Sequence, residues 1–262
     1  MSKPITGLYR VIRGVFGPVM DTWVKLEVSG EEHLPSDGAF IIAPNHISNF
    51  DPVCMAYFML THGYPVRFMA KAELFKVPGL GAVLRSMGMV PVHRSTQHSA
   101  SVLEDARAAL ERGECVGIYP EGTLTRDPQM WPMKPKTGAA RLALDTGVPV
   151  IPIAQWGAHE VMPRYSSRID FRPGRPIQII VRPPVDLSDL ITEEGSKNRE
   201  AVQEAAQRIH EEIVAGVSEI RGEKAPARPW DPSAMSGPDK KTLARYARWR
   251  RSLAKRSRSY KR

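Results

Sequence analysis

Ala39-Phe40-Ile41-Ile42-Ala43-Pro44-Asn45-His46-Ile47-Ser48-Asn49-Phe50-Asp51-Pro52 decides how the rest of the chain is read. Five apolar residues follow the turn Pro35-Ser36-Asp37-Gly38 and predict a short buried strand. Pro52 suits the first position of a helix, where its missing N–H is not needed. The residue before a proline is biased away from helical backbone, so Asp51 is expected as the N-cap. A strand, a polar turn and a helix in that order place Asn45–Asp51 where α/β proteins present their working residues.

Outward from this stretch, apolar runs predict further strands at 24–28, 66–69, 88–92, 115–119, 148–154 and 177–181. Helical spacing predicts helices at 52–61, 80–86, 99–112, 137–145 and 200–220, with Gly113 and Gly147 as stops. The alternation argues for an α/β fold, a mixed and partly parallel sheet layered by helices. Ahead of the first strand, Leu8, Val11, Ile12, Val15, Phe16, Val19, Met20 and Trp23 recur at i, i+3, i+4 and i+7. Residues 1–24 therefore read as an N-terminal amphipathic helix, interrupted by Gly14 and Pro18. Its apolar stripe suits the protein core, a membrane interface, or each along different parts.

Composition bounds the function. The chain has 262 residues, 42% hydrophobic and 25% charged, which excludes collagen, coiled-coil and wholly disordered readings. Cys54 and Cys115 sit in apolar runs and read as buried free thiols. The net charge of +9 points to a polyanion, either nucleic acid or an anionic membrane. That charge is unevenly spread. Residues 1–223 hold 24 Lys and Arg against 26 Asp and Glu, whereas residues 224–262 hold 13 against 2. The part from 25 to 223 is thus close to neutral, and 224–262 is a basic Pro-rich linker and cationic tail. In the tail, Leu243, Tyr246, Trp249 and Leu253 fall at helical spacing among arginines, which fits a basic helix or a solvated extension. No run of 18 apolar residues predicts a transmembrane helix.

Common catalytic templates are missing. There is no Gly-x-Ser-x-Gly elbow and no Gly-x4-Gly-Lys loop, and Leu84 stands where a dinucleotide fingerprint needs its third glycine. The seven histidines give no metal-ligand spacing, so no metal is expected. Three constellations remain. If His46 lies on the turn before the helix, Asp51 can orient its imidazole as a general base; otherwise Asp51 caps the helix and His46 is a polar turn residue. Tyr119-Pro120-Glu121-Gly122-Thr123-Leu124-Thr125-Arg126 follows a strand end and offers backbone N–H groups and a cation to an anion, or is an ordinary turn. Arg94, ending the run from Gly88, suits phosphate or is simply a surface residue.

Together these motifs resemble the glycerolipid acyltransferase family. Asn45-His46-x4-Asp51 resembles its first block; residues 88–94, 119–123 and 148–152 resemble the second, third and fourth in the same order. The resemblance spans roughly 25–185, an acyltransferase domain, and is nearest to 1-acyl-sn-glycerol-3-phosphate acyltransferases. It implies that His46 is the general base on the acceptor hydroxyl and Asp51 its orienting partner, with the hydroxyl attacking the thioester directly and no acyl-enzyme. It implies that Arg94, Glu121, Gly122, Thr123 and Arg126 hold the acceptor phosphate, that Asn45 and Ser48 shape the first block, and that Lys71 and Lys136 add positive charge. It implies no cofactor beyond acyl-CoA or acyl carrier protein as co-substrate. The implied partners are lysophosphatidic acid and an anionic membrane, with no nucleic acid, and the implied location is the cytoplasmic face of the cell membrane. Two positions depart from the family pattern. Leu124 stands where many members have Arg after Glu-Gly-Thr, and His93 precedes Arg94 where Asp is common. Both lie on the phosphate side, so glycerol 3-phosphate or another lysolipid is an alternative acceptor.

Overall fold

A computed structural model describes residues 14, 17–76, 81, 89–92, 99–166 and 168–231. Among the described residues seven strands form one sheet: β1 (Val24–Ser29), β2 (Phe40–Pro44), β3 (Val66–Lys71), β4 (Val90–Val92), β5 (Cys115–Gly117), β6 (Val150–Trp156) and β7 (Arg175–Val181). Their spatial order is β1-β7-β6-β2-β5-β3-β4. Every neighbouring pair is parallel except β6 with β7, which is antiparallel. The expected mixed, largely parallel sheet is present.

β2 lies at the centre, and its five residues are all buried. A strand covered on both faces needs apolar side chains at every position, which is why residues 39–43 read as a continuous run rather than an alternation. The pleat divides them. Ile41 and Ala43 join one core with Val116, Val150 and Ala154, whereas Phe40 and Ile42 join the other with Val66, Phe68, Ile151 and Ile177. The first core is closed by α2 (Ser99–Glu111), α3 (Gly138–Thr146) and α5 (Arg199–Arg221), and the second by α1 (Asp51–Thr61) and the short α4 (Ala158–Val161). The expected helices fall within two residues of these bounds, apart from 80–86, which lies outside the described residues save Gly81. The strand expected through Tyr119 stops at Gly117, because the chain turns at Tyr119–Gly122, where the Gly122 N–H donates to the Tyr119 carbonyl at 2.9 Å. α5 begins on Asn198, whose side chain accepts the Ala201 N–H at 3.0 Å.

Residues 17–23 are helical and run directly into β1. Met20 faces the core at 4% exposure while Val19 is 57% exposed, so this part of the stripe has an inward and an outward side. At the other end, residues 224–231 lie along the domain. The Lys134 N–H donates to the Trp230 carbonyl at 2.9 Å, and Lys134 Nζ meets Asp231 at 2.9 Å. The tail helix expected beyond residue 238 lies outside the described residues.

Candidate active site

The Asn45–Asp51 turn leaves the C-terminal end of β2 between two parallel neighbours, β5 and β6. Asn45 anchors its start. The Asn45 amide donates to the Gln155 carbonyl at 3.1 Å and accepts the Gln155 N–H at 2.8 Å, and Gln155 Nε2 donates to the Asn45 carbonyl at 2.9 Å. Three bonds between buried groups fix where His46 begins. Ser48 anchors the far side, its hydroxyl donating to the Met162 carbonyl at 2.6 Å and accepting the Phe50 N–H at 3.0 Å.

Asp51 is not the N-cap expected from sequence. It is the first helical residue, Phe50 holds the cap position, and the carboxylate points back into the turn. Its Oδ2 meets His46 Nδ1 at 2.9 Å and accepts the Ile47 and Ser48 N–H groups at 2.6 and 2.7 Å. The Val53 and Cys54 N–H groups go to the Phe50 carbonyl, and the turn offers the carboxylate two donors behind it. Asp51 is fully buried, and burial pushes its carboxyl above the ordinary value while the His46 ring and the two amides pull it back. With Nδ1 donating to Asp51, His46 Nε2 carries the lone pair needed to accept a proton. The imidazole is 15% exposed and lies on the Tyr119 ring at 4.2 Å between centroids.

The loop after β5 wraps the same turn. Glu121 is buried, and both its oxygens are taken: Oε1 accepts the His46 N–H at 2.8 Å and Oε2 the Met133 N–H at 3.0 Å. Burial pushes this carboxyl up to about 8, although each amide donor favours its charged form. Glu121 therefore ties the Asn45–Asp51 turn to the 131–136 segment. Gly122 has φ 66°, and a Cβ there would lie 2.8 Å from Lys136 Nζ, so the glycine lets the ammonium group settle on the turn. Thr123 is half-buried and Arg126 exposed on the same loop. Leu124, at the position of the family's usual arginine, is buried at 6% exposure.

The structure thus brings together Asn45, His46, Ser48, Asp51, Glu121, Gly122 and Lys136. Arg94 lies outside the described residues, and of Lys71 only the backbone, in β3, is described. Sequence reasoning passed over three residues. Gln155 sits just beyond the fourth block and carried no signal. Tyr119 was visible only as part of the third block. Arg164 is buried at 3% exposure, and its guanidinium donates at 2.7 Å to both the Thr125 and Asp127 carbonyls, holding the third-block loop in place.

A histidine beside a buried carboxylate at the carboxyl ends of parallel strands is an arrangement able to take a proton from a hydroxyl. The family model described as Acyltransferase matches residues 25–156, and the chain belongs to that family. A 1-acyl-sn-glycerol-3-phosphate acyltransferase of Borreliella burgdorferi is 31% identical over 64% of this chain and 64% of its own length. The chloroplastic enzyme BAT2 of that name from Brassica napus is 32% identical over 65% of this chain and 48% of its own. The Bacillus subtilis enzyme of that name is 29% identical over 78% and 96%. The chain therefore spans about half to two thirds of the first two relatives. Among solved structures, the LPA acyltransferase PlsC of Thermotoga maritima superposes with a TM-score of 0.63 at 25% identity, covering 84% of this chain and 82% of that one.

Proposed function

We propose that the protein transfers a fatty acyl group from acyl-CoA or acyl carrier protein to the free hydroxyl of 1-acyl-glycerol 3-phosphate, giving phosphatidic acid in phospholipid synthesis. The observation that carries this reading is His46 Nδ1 held at 2.9 Å by the buried Asp51. His46 Nε2 takes the proton as the acceptor oxygen forms its bond to the thioester carbonyl carbon. The carbon–sulfur bond then breaks, and the imidazolium returns the proton to the leaving thiolate. Asp51 stabilises the imidazolium between these steps. The thioester is already activated, so the reading calls for no metal and no resident cofactor. General-base assistance of this kind contributes about 10²–10⁴-fold.

In this reading the acceptor phosphate is held by Arg94, Arg126, Lys136 and the Gly122–Thr123 backbone, with Lys71 near. Glu121, turned inward and largely neutral near pH 7, adds no net negative charge there. The enzyme works at an anionic membrane, peripherally on the cytoplasmic face of the cell membrane, with residues 1–24 at the interface, 25–223 catalytic and 224–262 a cationic tail. No described helix is long and apolar enough to cross a membrane. The near-neutral 25–223 region favours this over nucleic-acid binding. The buried Leu124, in place of an arginine, favours a second acceptor as the alternative, glycerol 3-phosphate or another lysolipid.

A thiol-release assay over phosphorylated and unphosphorylated lysolipids tests the reading. Wild type should release thiol fastest with 1-acyl-glycerol 3-phosphate, and His46→Ala should lose at least a hundredfold in turnover while keeping its fold. Activity retained by H46A would remove the base assignment.

A further inference from the structure

Phe171 is the most exposed of the described large apolar side chains, at 72%. It lies in the loop between α4 and β7, which no catalytic step uses beyond the Met162 carbonyl and Arg164. The ring is held rigidly. It stacks on Trp23 at 5.1 Å, and Trp23 Nε1 donates to the Asp170 carbonyl at 2.8 Å. The Gly174 N–H donates to the Thr22 carbonyl at 3.0 Å, and the Asp170 N–H to the Val161 carbonyl at 2.8 Å. An exposed aromatic ring fixed this firmly is a presented surface. Val19, one helical turn before Trp23, is 57% exposed, and Ile169 of the same loop is 36% exposed. Arg168 and Arg172 are exposed beside them. From Arg164 to Arg175 the chain carries four arginines and one carboxylate, Asp170, which pairs with Arg172 and Arg175; Arg164 is buried, and Arg168 is exposed.

This ledge borders the catalytic turn. The Trp23 ring also meets Phe50, at 4.9 Å, directly before Asp51, and Ser48 donates to Met162 at the start of the same loop. We infer that Val19, Trp23, Ile169 and Phe171, flanked by Arg168 and Arg172, form a ledge that inserts into an anionic leaflet and seats the active site at the lipid surface. Apolar side chains interleaved with cations match the boundary between acyl chains and anionic headgroups. A second copy packed on the same face would set these arginines against one another. The inference rests on the membrane reading above and adds where the contact is made.

The test uses the full chain and vesicles of phosphatidylcholine mixed with phosphatidylglycerol. Phe171→Ser should bind these vesicles about tenfold more weakly than wild type, since one exposed ring loses its apolar seat. It should still turn over a monomeric short-chain lysophosphatidate at the wild-type rate. Arg168→Gln should weaken binding at low salt and match wild type at high salt. Equal vesicle binding by F171S and wild type would overturn the ledge and leave the membrane reading standing. No vesicle binding by wild type would overturn both. A vesicle-free dimer that F171S dissociates would assign the face to a second copy and overturn the proposal.

Discussion

Glu121 illustrates how burial converts a charged residue type into a neutral connector. Its carboxyl bridges the amides of His46 and Met133, and its position near 8 means that the folded protein holds a proton that an unfolded glutamate, near 4.5, would release. Between those values the native state binds more protons, so this residue's contribution to stability is full below about 4.5 and is lost as pH rises through about 8. Glu121→Gln removes the titration and, since its NH2 cannot accept, also one of the two amide bonds, which lowers stability by a pH-independent amount. Its denaturation midpoint should therefore lose that part of the downward slope between pH 4.5 and 8, which urea melts at stepped pH would measure; an unchanged slope would count against a protonated Glu121. The His46–Asp51 pair was legible in the sequence because both residues lie within one turn. The role of Glu121 was not, because its partners His46 and Met133 reach it only through the tertiary fold. The sequence displayed a carboxylate beside a suspected phosphate site, and only the packing assigns both oxygens to backbone N–H groups.

At the scale of elements, helix α5 covers the sheet at close range through one small residue. A Cβ on Gly216 would lie 2.6 Å from the Ala154 Cβ and 3.3 Å from the Arg182 Cδ. Alanine is the better helix former by about 1 kcal/mol, so propensity alone favours Gly216→Ala. The contact reverses that. The helix must lift from β6, a strain of about 1–3 kcal/mol. G216A should lower the thermal midpoint by several degrees, and a rise would show that α5 rides higher on the sheet. The strands and helices themselves were readable as apolar runs and helical stripes between turns. Their spatial order was not. Nothing local in Val24–Ser29 indicates that β1 pairs with β7, or that β6 and β7 run antiparallel. The capping expectation for Asp51 failed for a related reason: two donors behind it, at Ile47 and Ser48, outcompeted the helix start ahead.

For the whole molecule, the uneven charge now has a physical boundary. Residues 224–231 lie on the domain through Lys134, and Ala225 packs against the core. Arg221, just before them, sits over the rings of Trp131 and Trp156 at 4.0 and 4.6 Å. Truncation after residue 231 should leave the melting temperature unchanged and weaken binding to anionic vesicles, chiefly at low salt, since residues 232–262 carry 11 Lys and Arg against 1 Asp. Truncation after residue 223 should also cost about 1–2 kcal/mol of stability. Calorimetry and vesicle sedimentation on the two shortened chains separate these effects, and identical melting of both would place the boundary nearer 223. A counter-trend operates in acid. Burial holds His159 and His210 near 4, so their contribution to stability is lost as pH falls from 6.5 toward 4.

The pairing of β1 with β7 joins Val24 to Arg175 and so binds nearly the first described strand to the last. During synthesis β2 and the Asn45–Asp51 turn leave the ribosome long before β7 does. Until then β1 has no strand partner, although residues 17–23 already have Phe50 and Tyr57 to pack against. β1 therefore joins the sheet late, through a long-range pairing of the kind that slows folding. Strand topology thus delays closure of the sheet until β7 is made, and α5, later still in the chain, packs over it.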